Sequence, residues 1–81
     1  MLTLQTFKDV VLPFLNINGS VHRMFVITDY HSGQRINAIE FGEFSLKVTY
    51  DGDNVVIFTE SSIKEGDCKF EIYTLSNTIG N

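Results

Sequence analysis

Three residue types that serve in hydrolytic catalysis stand close together in the sequence, at Asp29, His31 and Ser32. A working triad needs side chains that converge from separate parts of a fold. Neighbouring side chains on a strand point to opposite faces, so these three cannot form the chain of hydrogen bonds through which a triad transfers a proton. The pattern is more typical of a polar hairpin loop, and the sequence predicts no catalytic residue and no enzyme.

The segment Asp51-Gly52-Asp53-Asn54 has carboxylates spaced like the first ligands of an EF-hand calcium loop. The pattern then fails, because Val56 stands where that loop needs glycine and Ser62 where it needs glutamate. A hairpin turn explains the same residues. The two histidines show no ligand spacing and the chain has one cysteine, so no metal site is predicted.

Charge and composition narrow the classes of partner. The 81 residues carry a formal charge of −4, which disfavours nucleic acids and anionic membranes. No phosphate-binding loop and no apolar run of membrane-spanning length occur, so neither a cofactor nor a membrane is predicted. A single cysteine and a start unlike a signal peptide favour the cytoplasm.

An N-terminal helix is predicted over residues 4–14. Its apolar residues recur at helical spacing on one stripe: Leu4, Phe7, Val11 and Phe14. Thr6 with Asp9 resembles a capping box at its start. Pro13 lacks a backbone N–H, so it should end or kink the helix.

The rest of the chain is rich in β-branched and aromatic residues, which favour strands. Strands are predicted over residues 21–30, 35–41, 43–50, 54–60 and 68–75, with a fraying tail at 76–81 and a bulge or turn at Gly42. A two- or four-residue turn after Tyr50 would place Val56 and Phe58 on the face opposite Leu46. In the last strand Cys68 alternates with apolar residues, as a small core side chain would.

These elements predict one α+β domain, in which one short N-terminal helix packs on a four- to five-stranded antiparallel sheet. The alternative is a small β-barrel with an N-terminal helix. A helix of about ten residues covers only two or three strands. Apolar residues nevertheless occupy both faces: Phe25, Ile27, Val56, Phe58 and Tyr73 are expected opposite Val26, Ile57, Phe70 and Ile72. Barrel closure, a second copy or a partner protein should cover the surplus.

The favoured function is a small acidic protein-binding module, an inhibitor or adaptor of a larger cytosolic protein. The alternatives are a self-associating structural subunit, such as a homodimer, and a single-stranded nucleic-acid-binding domain that uses sheet aromatics. Size and composition are typical of phage or mobile-element proteins, which would act in the host cytoplasm. The predicted partner-binding residues are Phe25, Ile27, Val56, Phe58 and Tyr73, with Glu40, Glu43, Asp51 and Asp53 at the rim to select basic partners.

Overall fold

A computed structural model describes residues 3–67 and 69–75. The predictions for Cys68 and for the tail at 76–81 lie outside the described residues. In chain order the elements are helix α1 (Leu4–Val11), a 3₁₀ turn (Leu12–Phe14), strands β1 (Phe25–Asp29), β2 (Gln34–Phe41), β3 (Ser45–Tyr50) and β4 (Val55–Thr59), helix α2 (Glu60–Lys64) and strand β5 (Phe70–Thr74).

The five strands form one antiparallel sheet in the order β4-β3-β2-β1-β5. The predicted α+β architecture is therefore confirmed, and the sheet is open rather than closed into a barrel. It is strongly curled, because the rings of Phe58 on β4 and Phe70 on β5 lie 6.2 Å apart although these strands form opposite edges. In a flat sheet, strands spaced about 4.8 Å apart would separate the two edges by roughly 19 Å.

Helix α1 begins at a capping box formed by Thr3 and Thr6, not by Thr6 and Asp9. The Thr3 hydroxyl accepts the Thr6 N–H at 3.2 Å, and the Thr6 hydroxyl accepts the Thr3 N–H at 2.8 Å. Asp9 instead accepts a hydrogen bond from the Gln5 side chain at 2.9 Å. The helix ends at Val11, and Pro13 lies in the 3₁₀ turn that follows, as its missing N–H requires.

The concave face of the sheet holds the core. Helix α1 packs there through one stripe, and α2 adds Ile63, which is completely buried. The buried apolar residues are Leu4, Phe7, Val11, Ile27, Ile36, Ile39, Leu46, Val48, Tyr50 and Ile63. No helix is predicted at the position of α2, because residues 61–67 fall between two predicted strands. This helix begins because the Thr59 hydroxyl accepts the Ser62 N–H and caps its first turn.

Strand β1 begins at Phe25, later than the predicted start at residue 21. Residues 22–25 form a turn instead, in which the Phe25 N–H donates to the His22 carbonyl at 2.9 Å. An earlier turn is closed by the Asn16 N–H, which donates to the Ser20 carbonyl at 2.8 Å. This turn lies beside β2, because Ile39 N–H donates to the Gly19 carbonyl at 2.8 Å. The register irregularity lies in β2 between Ile36 and Ala38. Gly42 lies in the turn between β2 and β3, which is one of the two predicted possibilities, and its N–H donates to the Ser45 carbonyl at 2.8 Å.

The β3–β4 hairpin has a register that the sequence reasoning missed. Tyr50 N–H donates to the Asn54 carbonyl at 2.7 Å, so the loop consists of the three residues between them. Gly52 and Asp53 take positive φ angles of 91° and 70°, which allows this short closure. An odd loop pairs even positions with even positions, and Val56 and Phe58 therefore share the concave face with Val48 and Leu46. The predicted facing of this hairpin is wrong.

Within residues 3–67 and 69–75, no helix is both long enough and apolar enough to cross a membrane.

Candidate interaction surface at the edge of the sheet

The five apolar residues predicted to share an outer surface are divided between the two faces. Phe25, Ile27, Val56 and Phe58 lie on the concave face and Tyr73 on the convex face. The reason is the β1–β5 register, which pairs Ile27 with Ile72 and so puts them on the same face. Ile27 is completely buried, and Phe25 is half-buried with its ring 4.8 Å from that of Phe14. These residues form no common outer patch.

The convex face is mainly polar outside β4. Its residues on β1, β2, β3 and β5 include Thr28, Arg35, Lys47, Thr49 and Glu71. Tyr73 is exposed there and its hydroxyl donates to the Glu71 carboxylate. That hydrogen bond raises the pKa of Tyr73, with smaller contributions from burial and from the negative charge of Glu71. Among the described residues of the five strands, the exposed aliphatic side chains therefore lie in one smaller region.

That region is Val55, Val56 and Ile57, which we call the β4 edge. The three consecutive side chains are 52%, 40% and 63% exposed. Val55 and Ile57 point to the convex face, whereas Val56 points to the concave side beyond the cover of the helices. Aliphatic side chains are thus exposed on both faces of one edge strand. The sequence signal was the run of β-branched residues of both parities directly after the turn.

The backbone of the β4 edge is unpaired on its outer side. In an antiparallel ladder, alternate residues direct N–H and C=O to the same neighbour. The Tyr50–Asn54 hydrogen bond shows that even-numbered residues of this hairpin bond across it. Val55 and Ile57 consequently direct their N–H and C=O groups outward, and within the described residues β4 pairs with β3 alone. Such an edge is a template for another strand.

The four acidic residues predicted to form a rim are divided between this edge and other parts of the surface. Asp51 and Asp53 are exposed in the turn at the start of β4. Glu40 forms an ion pair with Lys47 at 3.4 Å, and Lys47 pairs with Ile57 in the register. Glu43 lies away from the edge, where it lines a depression beside the start of α1. Two carboxylates therefore flank the edge directly.

Two depressions border Lys8 on α1, with volumes of about 320 and 260 Å³. The larger is lined by Lys8, Leu12, Leu15, Asn16, Ile17, Asn18, Gly19, Ile39, Glu40 and Phe41, and the smaller by Leu4, Gln5, Lys8, Gly42, Glu43, Phe44 and Glu60. The Lys8 ammonium lies 5.7 Å from the centre of the Phe41 ring, a cation–π distance. Both depressions combine apolar walls with charges of both signs.

Asp29 is 3% exposed, and its carboxylate organises the turn between β1 and β2. One oxygen accepts the His31 N–H at 2.9 Å and the other accepts the Tyr50 hydroxyl at 2.6 Å. The Asp29 carbonyl accepts the N–H groups of Ser32 and Gly33. These bonds assign the Asp29 carboxylate a structural role. The contact with Tyr50 joins residues 21 positions apart, and no local pattern in the sequence signals it.

The histidine and acidic side chains do not gather elsewhere. In the described parts of the chain, no three His, Cys, Asp or Glu side chains are placed to hold a metal ion together. His22 uses its Nδ1 atom to accept the Met24 N–H at 3.1 Å, and its ring lies 5.7 Å from that of Phe25. This histidine thus supports the loop before β1.

Comparisons of the chain with protein-family models, with curated proteins and with solved structures found no match. The proposed function therefore rests on the β4 edge and the acidic turn beside it.

Proposed function

We propose that this chain is a small protein-binding module that acts as an inhibitor or adaptor of a larger protein, and that the β4 edge is its contact surface. The observation that carries the proposal is the coincidence of three exposed aliphatic side chains with outward backbone groups on one edge strand. Solvated edge strands are commonly blunted by lysine, proline or a bulge. The β4 edge has none of these.

The β4 edge fits a partner that binds as an extended strand. An extended segment can add to the sheet as another strand, with main-chain hydrogen bonds to Val55 and Ile57 supplying affinity. Apolar side chains at consecutive positions of that segment would cover Val55 and Ile57 on one face and Val56 on the other, because neighbouring side chains of a strand point to opposite faces. The expected partner is therefore a protein that exposes an extended, apolar segment.

Charge favours a basic sequence beside that segment. Asp51 and Asp53 lie at the start of β4, and the chain as a whole has a formal charge of −4. Lysine or arginine flanking the bound segment would meet these carboxylates and speed association. Added salt would weaken such binding, because at 0.1 M ionic strength the attraction between exposed charges more than about 10 Å apart is largely screened. The acidic, cysteine-poor composition supports a cytosolic partner and a phage or mobile-element origin.

The test is capture of the partner by the tagged full chain from a lysate of the source cells. Ile57→Lys places a charge on the β4 edge and should abolish capture. Ile17→Lys is the matched control, because Ile17 is fully exposed in the turn before β1, and it should capture as the unaltered chain does. Equal capture by both variants would overturn the proposed surface.

A second pair of changes tests the charge argument. Asp51→Asn combined with Asp53→Asn should weaken capture and reduce its dependence on salt. The amide suits the positive φ of residue 53, since asparagine adopts that conformation as readily as aspartate. Capture that stays equally salt-dependent in this double variant would contradict a role for the acidic turn.

A further inference from the structure

We propose that the β4 edge also binds the β4 edge of a second copy, with the two strands antiparallel about a twofold axis. This inference rests on the proposed function, since it uses the same surface, and it names a partner for it. The paired form would hold the edge covered until a partner strand displaces the second copy.

The backbone of the edge is complementary to itself. Val55 and Ile57 each direct one N–H and one C=O outward. In an antiparallel pair, Val55 of one copy can exchange both hydrogen bonds with Ile57 of the other, and the twofold axis repeats the exchange. The contact uses the same patch twice, so it closes at two copies.

The side chains of the edge gain cover in the same arrangement. Val56 of each copy would meet its equivalent at the axis, as a non-hydrogen-bonded pair with Cα atoms about 4.5 Å apart. Val55 of each copy would lie opposite Ile57 of the other copy on the convex face. The exposed aliphatic surface of β4 would then lie at the centre of the contact, where burial from water is most complete.

Charge distinguishes this arrangement from the others available to two copies. Each copy carries a formal charge of −4, so two copies approach best where the surface is uncharged. Strand β4 has no charged residue, whereas the opposite edge strand, β5, contains Glu71 and follows Lys69. A parallel pairing of β4 would set two acidic turns, each with Asp51 and Asp53, side by side. The antiparallel pairing sends them to opposite ends.

Sedimentation of the untagged full chain over a range of concentrations tests the pairing. The unaltered chain and Ile17→Lys should both show a monomer–dimer equilibrium. Ile57→Lys should raise the dissociation constant at least tenfold while its circular dichroism spectrum stays unchanged. Added salt should strengthen the dimer, because it screens two like-charged copies, whereas it should weaken capture of a basic partner.

Amide hydrogen exchange gives a second readout that needs no variant. The Val55 and Ile57 amides should gain protection as protein concentration rises. The Val56 and Phe58 amides bond across the hairpin and should stay protected at every concentration. A chain that is monomeric throughout overturns the dimer but leaves the partner proposal intact. Assemblies larger than two, or a dimer retained in Ile57→Lys, overturn the twofold pairing. If the unaltered chain forms the dimer but captures no partner, the proposed function is overturned and the dimer stands.

Discussion

The buried hydrogen bond between Tyr50 and Asp29 allows a sharp test of what holds the β1–β2 turn to the rest of the sheet. Both residues are 3% exposed, and the hydroxyl donates to the carboxylate at 2.6 Å. Tyr50→Phe removes this donor and keeps the ring, so the core loses no apolar volume. Asp29 would retain the hydrogen bond from His31 N–H.

The expected loss follows from the charge and burial of the acceptor. A hydrogen bond to a charged group contributes about 1.5–3 kcal/mol, and a buried carboxylate that loses a donor is poorly solvated. At about 0.05–0.15 kcal/mol per residue, a chain of 81 residues has a total stability of roughly 4–12 kcal/mol. Tyr50→Phe should therefore lower the free energy of unfolding by a large fraction. A loss of 1 kcal/mol corresponds to a fall in Tm of about 4–8 °C at this size.

Urea unfolding followed by circular dichroism measures the change, with the slope m compared between variants. Tyr73→Phe is the matched control, because the Tyr73 hydroxyl also donates to a carboxylate, that of Glu71, but at an exposed site. Its urea midpoint should move far less, because an exposed pair contributes little. If Tyr50→Phe shifts the midpoint no more than Tyr73→Phe does, the reasoning about the buried carboxylate is refuted.

Two further predictions concern a close backbone approach and a titrating group. Gly19 and Gly52 both have positive φ angles, 90° and 91°, so alanine strains either by about 1–2 kcal/mol. A β-carbon at Gly19 would lie 2.8 Å from the Ile39 carbonyl oxygen, whereas one at Gly52 would meet nothing within 4 Å. Gly19→Ala should therefore lose more stability than Gly52→Ala in urea unfolding. Equal losses would contradict the close approach at Gly19. The raised pKa of Tyr73 predicts that its ring carbons titrate by NMR above 10.0, and that Glu71→Gln lowers this pKa. The folded chain holds the Tyr73 phenol proton more tightly than the unfolded chain does. The contribution of this proton to stability is therefore present below about pH 10 and is lost as pH rises through the folded pKa. Titration of Tyr73 at or below 10.0 would count against the Glu71 contact.

Those parts of the fold that depend on local periodicity could be predicted from the sequence. Leu4, Phe7 and Val11 form the buried stripe of α1, because helical spacing alone sets which side chains share a face. The alternation that ends at Tyr50 marks β3 in the same way. Pro13 ends the regular helix for a reason contained in its own ring.

Relations between elements could not be predicted so directly. The β1–β5 pairing places Ile27 beside Ile72, and nothing in either segment specifies that register. The Asp29–Tyr50 bond likewise exists only because β1 and β3 flank β2. In the sequence, the polar residues around Asp29 resemble a catalytic cluster, whereas Tyr50, which explains the burial of Asp29, lies two strands away.

The number of residues in the β3–β4 turn decides both the core and the candidate surface. With an even loop, Phe58 would point to the convex face and Ile57 to the concave one. The three-residue loop turns Phe58 inward, where its ring lies 6.2 Å from that of Phe70 and helps hold the curled edges together. The same one-residue difference turns Ile57 outward beside Val55. One register thus has two results: it closes the core with Phe58, and it exposes an aliphatic strand edge. A one-residue shift of this register that buried Ile57 would therefore also remove Phe58 from the core.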